Sequence, residues 1–234
     1  MSTYNLEIPE IGQIKVTKKR GMRSMRLRIS PKGEILVSTP WNIPRNIIYG
    51  FINDRREWIV KNTLDTAIPL QDGMIFGNNT KLQIIEGSGR KHSSVGSSGL
   101  KIKLDGKFDL ADTTQQKYIE KKVIEAMQTE AENILLPRLH YLAQSTNHSF
   151  NQAYVKRLSS RWGSCDSKKN ITLNVFLLQL PEVLQDYVIF HELSHTKYMN
   201  HSPEFWLHMD SLISNVKIHR KQIKVHRPRI EPRF

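Results

Sequence analysis

Apolar positions recur along the chain with two different periods. In KVTKKRGMRSMRLRIS and EILVSTP, residues 15–40, they alternate: Met25, Leu27 and Ile29 are interleaved with Arg26, Arg28 and Ser30. Alternation of this kind places one face of a strand on a core and the other in water. Pro31-Lys32-Gly33 between the two runs is a turn signal. Arginines on the wet face can contact phosphates, but simple solvation is the stronger reading. From Ile43 to Leu64 the period changes: Ile47, Ile48, Phe51, Ile52, Trp58 and Ile59 recur at helical spacing and predict one helix. Short strands follow near Thr80–Glu86 and Leu100–Leu104, separated by GSGRKHSSVGSSG, which reads as a flexible loop over residues 87–99.

A long helix is predicted from Asp112, because Asp112-Thr-Thr-Gln115 has the form of a capping box. Tyr118, Val123, Met127, Ile134 and Leu135 can face its core, and Pro137 is expected to kink or restart it. AYVKRL and ITLNVFLL read as strands flanking the turn SSRWGSCDSKKN. Pro181 opens a further helix, and Ser202-Pro203 another, whose buried stripe is Phe205, Met209, Leu212, Ile213 and Val216. These patterns divide the chain into a β-rich region with one helix (1–110), a mainly helical region (111–216) and a basic tail (217–234).

Composition adds a charge pattern. Residues 1–64 hold 12 Lys and Arg against 5 Asp and Glu, residues 217–234 hold 7 against 1, and the middle is balanced. Basic ends suit a polyanion such as nucleic acid, bound without sequence preference. The single cysteine, Cys165, rules out an intramolecular disulfide, and no apolar run is long enough for a signal peptide or a membrane span. A cytoplasmic protein with no membrane partner is expected.

The chemistry concentrates in PEVLQDYVIFHELSHTKYMNHSPEFW. His191 and His195 are four apart on a predicted helix, slightly more than one turn, so both imidazoles leave the same face. At that spacing they can share one tetrahedral Zn²⁺, with Glu192 placed as a general base rather than a ligand. A catalytic zinc needs a third protein ligand and one open position. His201, six residues on, is the first candidate, then Glu204, with His208 also in reach. The histidine spacing equals that of the metzincin motif, but Tyr198 stands where that motif has Gly, so the chain must return by another route. His-Glu-x-x-His with a third His at a set offset arises in fewer than about one in a thousand shuffles of this composition, which disfavours an ordinary helix with unrelated histidines.

Two stretches, RLSSRWGSCDSKKNITLN (157–174) and VIFHELSHTKYMNHSPEFW (188–206), and more weakly GMRSMRLRISPKGEILVSTP with the helix carrying Trp58, resemble the YgjP-like metallopeptidase family, itself distantly similar to SprT-like proteases. The resemblance implies a zincin-like α+β fold, a small mixed or antiparallel sheet packed on the HExxH helix. It implies zinc on His191, His195 and His201 with Glu192 catalytic, and the strand ITLN beside the cleft. Arg161, Trp162, Ser164 and Asn174 are then candidates for the substrate side. The alternative for RWGSC is a tight turn with Trp162 in the core and Gly163 serving backbone geometry. With three histidines present, Cys165 is needed neither as ligand nor as nucleophile. Tyr198, His208 and Arg161 are candidates to stabilise an oxyanion.

The function expected is a zinc metallopeptidase acting on peptide or protein. Two alternatives stand beside it: a metal-dependent nucleotide phosphohydrolase, and a nucleic-acid-associated protease acting on bound proteins. A phosphate substrate would call for several basic residues or a second metal near the first. Near HELSH in sequence only Lys197 is basic, which favours the peptidase.

Overall fold

The computed structural model describes residues 2–9, 11–30, 33–63, 68–96 and 98–232. The chain forms two compact units that divide between Ala67 and Ile68.

In the first unit, β1 (Ser2–Ile8) pairs antiparallel with β2 (Gly12–Lys19). β2 runs parallel to β4 (Ile35–Pro40), and β3 (Arg26–Ile29) closes the sheet antiparallel to β4, giving the order β1-β2-β4-β3. The register aligns the apolar positions into cross-strand rows: Leu6, Ile14, Ile35 and Ile29 in one, Tyr4, Val16, Val37 and Leu27 in the next. A one-residue slip would turn each strand's apolar set to water, so this alternation fixes the pairing. Arg26 and Arg28 fall on the exposed face, as expected. Gly33 supplies a left-handed residue to the turn, while Pro31 and Lys32 lie outside the described residues.

The helix expected over 43–64 is two, α1 (Arg45–Asn53) and α2 (Arg56–Thr63). The carbonyl of Phe51, which a continuous helix would pair with the N–H of Arg55, instead accepts from the Arg55 guanidinium at 3.1 Å. The Arg55 N–H turns to Ile52 O. Ile48, Ile52 and Ile59 still reach the core, while Ile47 and Trp58 are exposed.

The second unit opens with β5 (Ile75–Phe76), β6 (Thr80–Ile85), β7 (His92–Gly96) and β8 (Gly99–Lys103) in the order β5-β6-β8-β7. Strands placed by sequence in the N-terminal region up to residue 110 thus belong to the second unit. Their Met74, Phe76, Leu82, Leu100 and Ile102 share one core with Ile119, Val123 and Met127 of α3 (Thr113–Ser145). β7 lies inside the segment expected to be loop. It is an edge strand of exposed side chains, held by backbone pairing to β8, so it carries no hydrophobic alternation to be read. The turn into β8 uses Gly99 at φ +107°, where a Cβ would collide with the Lys81 backbone.

Asp112 caps α3, its carboxylate accepting from the N–H groups of Thr114 at 2.7 Å and Gln115 at 3.2 Å. Gln115 does not complete the box; its amide bonds Lys107 O and Asp109 N instead. The helix runs through Pro137 without a break. Pro137 and Asn133, whose carbonyl loses its partner, are both exposed, while Leu135 and Leu139 are buried on either side.

A three-stranded sheet, β9 (Ala153–Lys156), β10 (Gly163–Cys165) and β11 (Ile171–Asn174), has the order β10-β11-β9, antiparallel then parallel. ITLN is therefore the central strand, with both edges occupied, and β10 and β9 are the edge strands. The remainder of ITLNVFLL is a 3-10 turn, Val175–Gln179. Then come α4 (Glu182–His195), α5 (Pro203–Leu212) and α6 (Val216–Ile223). The molecule is thus of mixed α and β class with small mixed sheets. The segment read as a basic tail is in part folded: Val216 and His219 of α6 are buried. Among the described residues no helix is long and apolar enough to cross a membrane.

Candidate metal centre

α4 is anchored by Leu184, Tyr187, Val188, Ile189, Phe190 and Leu193, all buried. That anchoring fixes the face on which His191 and His195 stand, with ring centroids 4.9 Å apart. The helix ends at Thr196, whose N–H and hydroxyl both donate to Leu193 O. Lys197 N and Tyr198 N donate to Ser194 O, which curls the chain back. No residue from 196 to 202 has positive φ, so the return that a glycine serves in the metzincin motif is made here by capping bonds. It brings His201 to 4.9 Å from His191 and 4.7 Å from His195, ring to ring.

One ring nitrogen from each of the three histidines lies within 4.8 Å of the others. Two local features suit them to a cation. His195 Nδ1 lies 3.0 Å from Tyr198 O; a carbonyl can only accept, so Nδ1 carries the proton and Nε2 keeps its lone pair. His191 Nε2 and His201 Nε2 face each other at 2.9 Å, while the buried Nδ1 of His191 has no hydrogen-bond partner. Burial, and then the neighbouring His195 and His201, push His191 down to about 3, and burial and then His195 lower His201. Three converging imidazole nitrogens form a donor set suited to a divalent transition metal. The other candidate ligands lie elsewhere. Glu204 is exposed and bonded to Ser202, and His208 Nε2 lies 2.8 Å from His148 Nε2.

Phe205, fully buried on α5, packs against all three imidazoles at 4.7–5.0 Å. Trp206 lies nearly parallel to the His201 ring at 5.6 Å. The guanidinium of Arg220, from α6, sits 4.4 Å over the Trp206 ring.

Glu192 is buried at 5% exposure, and burial raises its carboxyl to about 8 against the opposing pull of Arg161. β10 packs over it. Gly163 lies against the Glu192 side chain, and Trp162, partly buried, joins the main core. In RWGSC, Trp162 packs into the core, while Arg161 and Gly163 bear on Glu192. Ser164 and Cys165 are half-buried in β10, and burial, then Glu192, pushes the Cys165 thiol up to about 11, which keeps it protonated. Asn174 is fully buried and spends its amide on backbone groups of the turn before β10, so it faces no cleft. Phe205 was read as a core residue, but its packing against the imidazoles, the places of Trp206 and Arg220, and the contact between Gly163 and Glu192 escaped sequence reasoning. Only the aromatic pair following His201 offered a signal.

The family model described as "YgjP-like, metallopeptidase domain" matches residues 23–226. The chain belongs to the YgjP-like metallopeptidase family. As a YgjP-like protein it is a hydrolase, and the coarse activity is that of a metal-dependent peptidase. No curated protein matches the chain. Among solved structures, the metallopeptidase zymogen abylysin of Pyrococcus abyssi aligns at 20% identity and a TM-score of 0.36, covering 39% of this chain and 93% of its own.

Proposed function

We propose that this YgjP-like protein hydrolyses peptide bonds with zinc held by His191, His195 and His201 and with Glu192 as the general base. The observation that carries the reading is the convergence of three imidazole nitrogens within 4.8 Å beside a buried carboxylate on the same helix. The three histidines would hold a zinc ion whose Lewis acidity would polarise the scissile carbonyl and lower the pKa of a water. The chain's own residues do the rest. Glu192, whose ionised form a neighbouring cation would favour, takes the proton of the attacking water and returns it to the leaving amide nitrogen. Phe205 excludes water from beneath the imidazoles and holds their spacing. The outer edge of β10 can pair main-chain groups of an extended substrate. Arg161, whose charge bears on Glu192, and Arg220, whose charge bears on His191 and His201, are the candidates to meet a developing oxyanion.

Those two arginines also bear on the phosphohydrolase alternative, because the fold brings to the site basic residues that the sequence near HELSH lacked. The other feature that could serve it, a second metal cluster, is absent among the described residues. The nucleic-acid reading has no support from the comparisons.

The test is metal content measured together with activity. Glu192→Gln is expected to retain stoichiometric zinc and lose cleavage of an unfolded protein substrate by at least about 100-fold. His201→Ala is expected to lose the zinc. Metal-loaded protein that cleaves nucleoside triphosphates but leaves unfolded protein intact would refute the peptidase.

A further inference from the structure

The structure assigns to Gly163 and Asn174 a joint role that rests on the proposed function: they are positioning residues that fix the Glu192 carboxylate. The backbone of Gly163 passes so close to Glu192 that an added Cβ would stand 2.7 Å from both Cγ and Oε1 and 2.9 Å from Cδ. All three of the nearest heavy atoms belong to Glu192, so its side chain is the first obstacle to a Cβ there. Gly163 has no positive φ, and its requirement is therefore steric rather than conformational. Cγ lies near the root of the side chain, so the clash cannot be relieved by swinging the carboxylate alone. At 5% exposure the side chain cannot swing out into solvent.

What holds Gly163 at that distance is Asn174. Its Nδ2 donates to Leu158 O at 2.8 Å and to Arg161 O at 2.7 Å, and its own N–H donates to Trp162 O at 2.9 Å. Its Oδ1 accepts from Phe176 N at 3.2 Å. One fully buried side chain therefore ties the turn before β10 to the strand after it, and the pairing of Gly163 with Leu173 completes the seat. β10 then acts as a wall against which Glu192 rests in one place. A base confined to one place need not be reoriented when substrate arrives, and misplacement by about 1 Å can lower turnover about 100-fold.

The experiment is a double-mutant cycle on the full chain, comparing wild type, Gly163→Ala, Glu192→Ala and Gly163→Ala with Glu192→Ala. Zinc content, thermal melting and, for the first two, kcat and KM on a peptide are read. Gly163→Ala is expected to keep its zinc and its KM within about threefold, to lose kcat by about 100-fold and to melt several degrees lower. In the Glu192→Ala background the same glycine substitution is expected to leave the melting temperature nearly unchanged, because the blocking side chain is gone. Equal melting shifts in the two backgrounds, or full turnover of Gly163→Ala, would overturn the assignment. If Gly163→Ala fails to fold, recovery of folding by Glu192→Ala supports it and continued failure refutes it. The melting cycle needs no catalysis, so a wild-type protein without peptidase activity would sink the proposed function while leaving the steric claim to be decided by melting alone.

Discussion

Acidification should weaken this protein through His148, and the magnitude can be worked from its hydrogen bonds. Thr146 Oγ1 donates to Leu142 O at 2.6 Å, so it can only accept from His148 Nδ1, 2.9 Å away. His148 therefore carries its proton on Nδ1, and its Nε2 accepts from His208 Nε2 at 2.8 Å. The chain of bonds runs one way and ties the end of α3 to α5, the helix that carries Phe205. A proton added to His148 would oppose two N–H groups across that bond, in a buried place with Lys197 and His208 as its charged or titratable neighbours. Burial, then Lys197, then His208 lower His148 to about 4. Against an unfolded value of about 6.5, the unfolded chain binds more protons between these limits. Stability is thus fully present above about pH 6.5 and is lost progressively as the pH falls toward 4. Linkage gives a loss of about 2 kcal/mol between pH 7 and pH 5, or about 4–8 °C in melting temperature for a unit of this size. The assay is melting of wild type and His148→Gln across that range. His148→Gln should be less stable at pH 7 but flatter with pH. Parallel curves for the two proteins would refute the reasoning, because the other histidines are common to both.

Two further outcomes test the packing. Phe205→Ala, which removes a fully buried ring from beneath three imidazoles, should lower stability by about 3–5 kcal/mol in denaturant titration and weaken zinc retention against a chelator; a loss below about 1 kcal/mol would mean the ring supports nothing. Gly99→Ala, at φ +107° and against the Lys81 backbone, should cost more than about 2 kcal/mol in the same titration, whereas Gly96→Ala, with open space around it, should change little.

The sequence by itself determined the parts that local physics controls. Alternation at Leu27 and Ile29 marked a strand with Arg26 and Arg28 outward, Asp112 marked the start of α3, and the spacing of His191 and His195 put both rings on one helical face. Each depends on residues within a turn or two of one another, where backbone geometry leaves few choices. The break at Arg55 and the strand His92–Gly96 escaped it. One turns on a side chain taking a main-chain carbonyl, the other on backbone pairing that leaves no hydrophobic period. Only the tertiary structure decided what surrounds the histidines. Asn174, taken from sequence as a substrate residue, is a buried clamp, because its neighbours Leu158 and Arg161 arrive through the pairing of β11 with β10. Arg220, taken as part of a basic tail, lies over Trp206 because α6 folds back to bury Val216 and His219. Contacts made across long stretches of chain leave no periodic trace, since what they require of each partner is shape and distance rather than residue type.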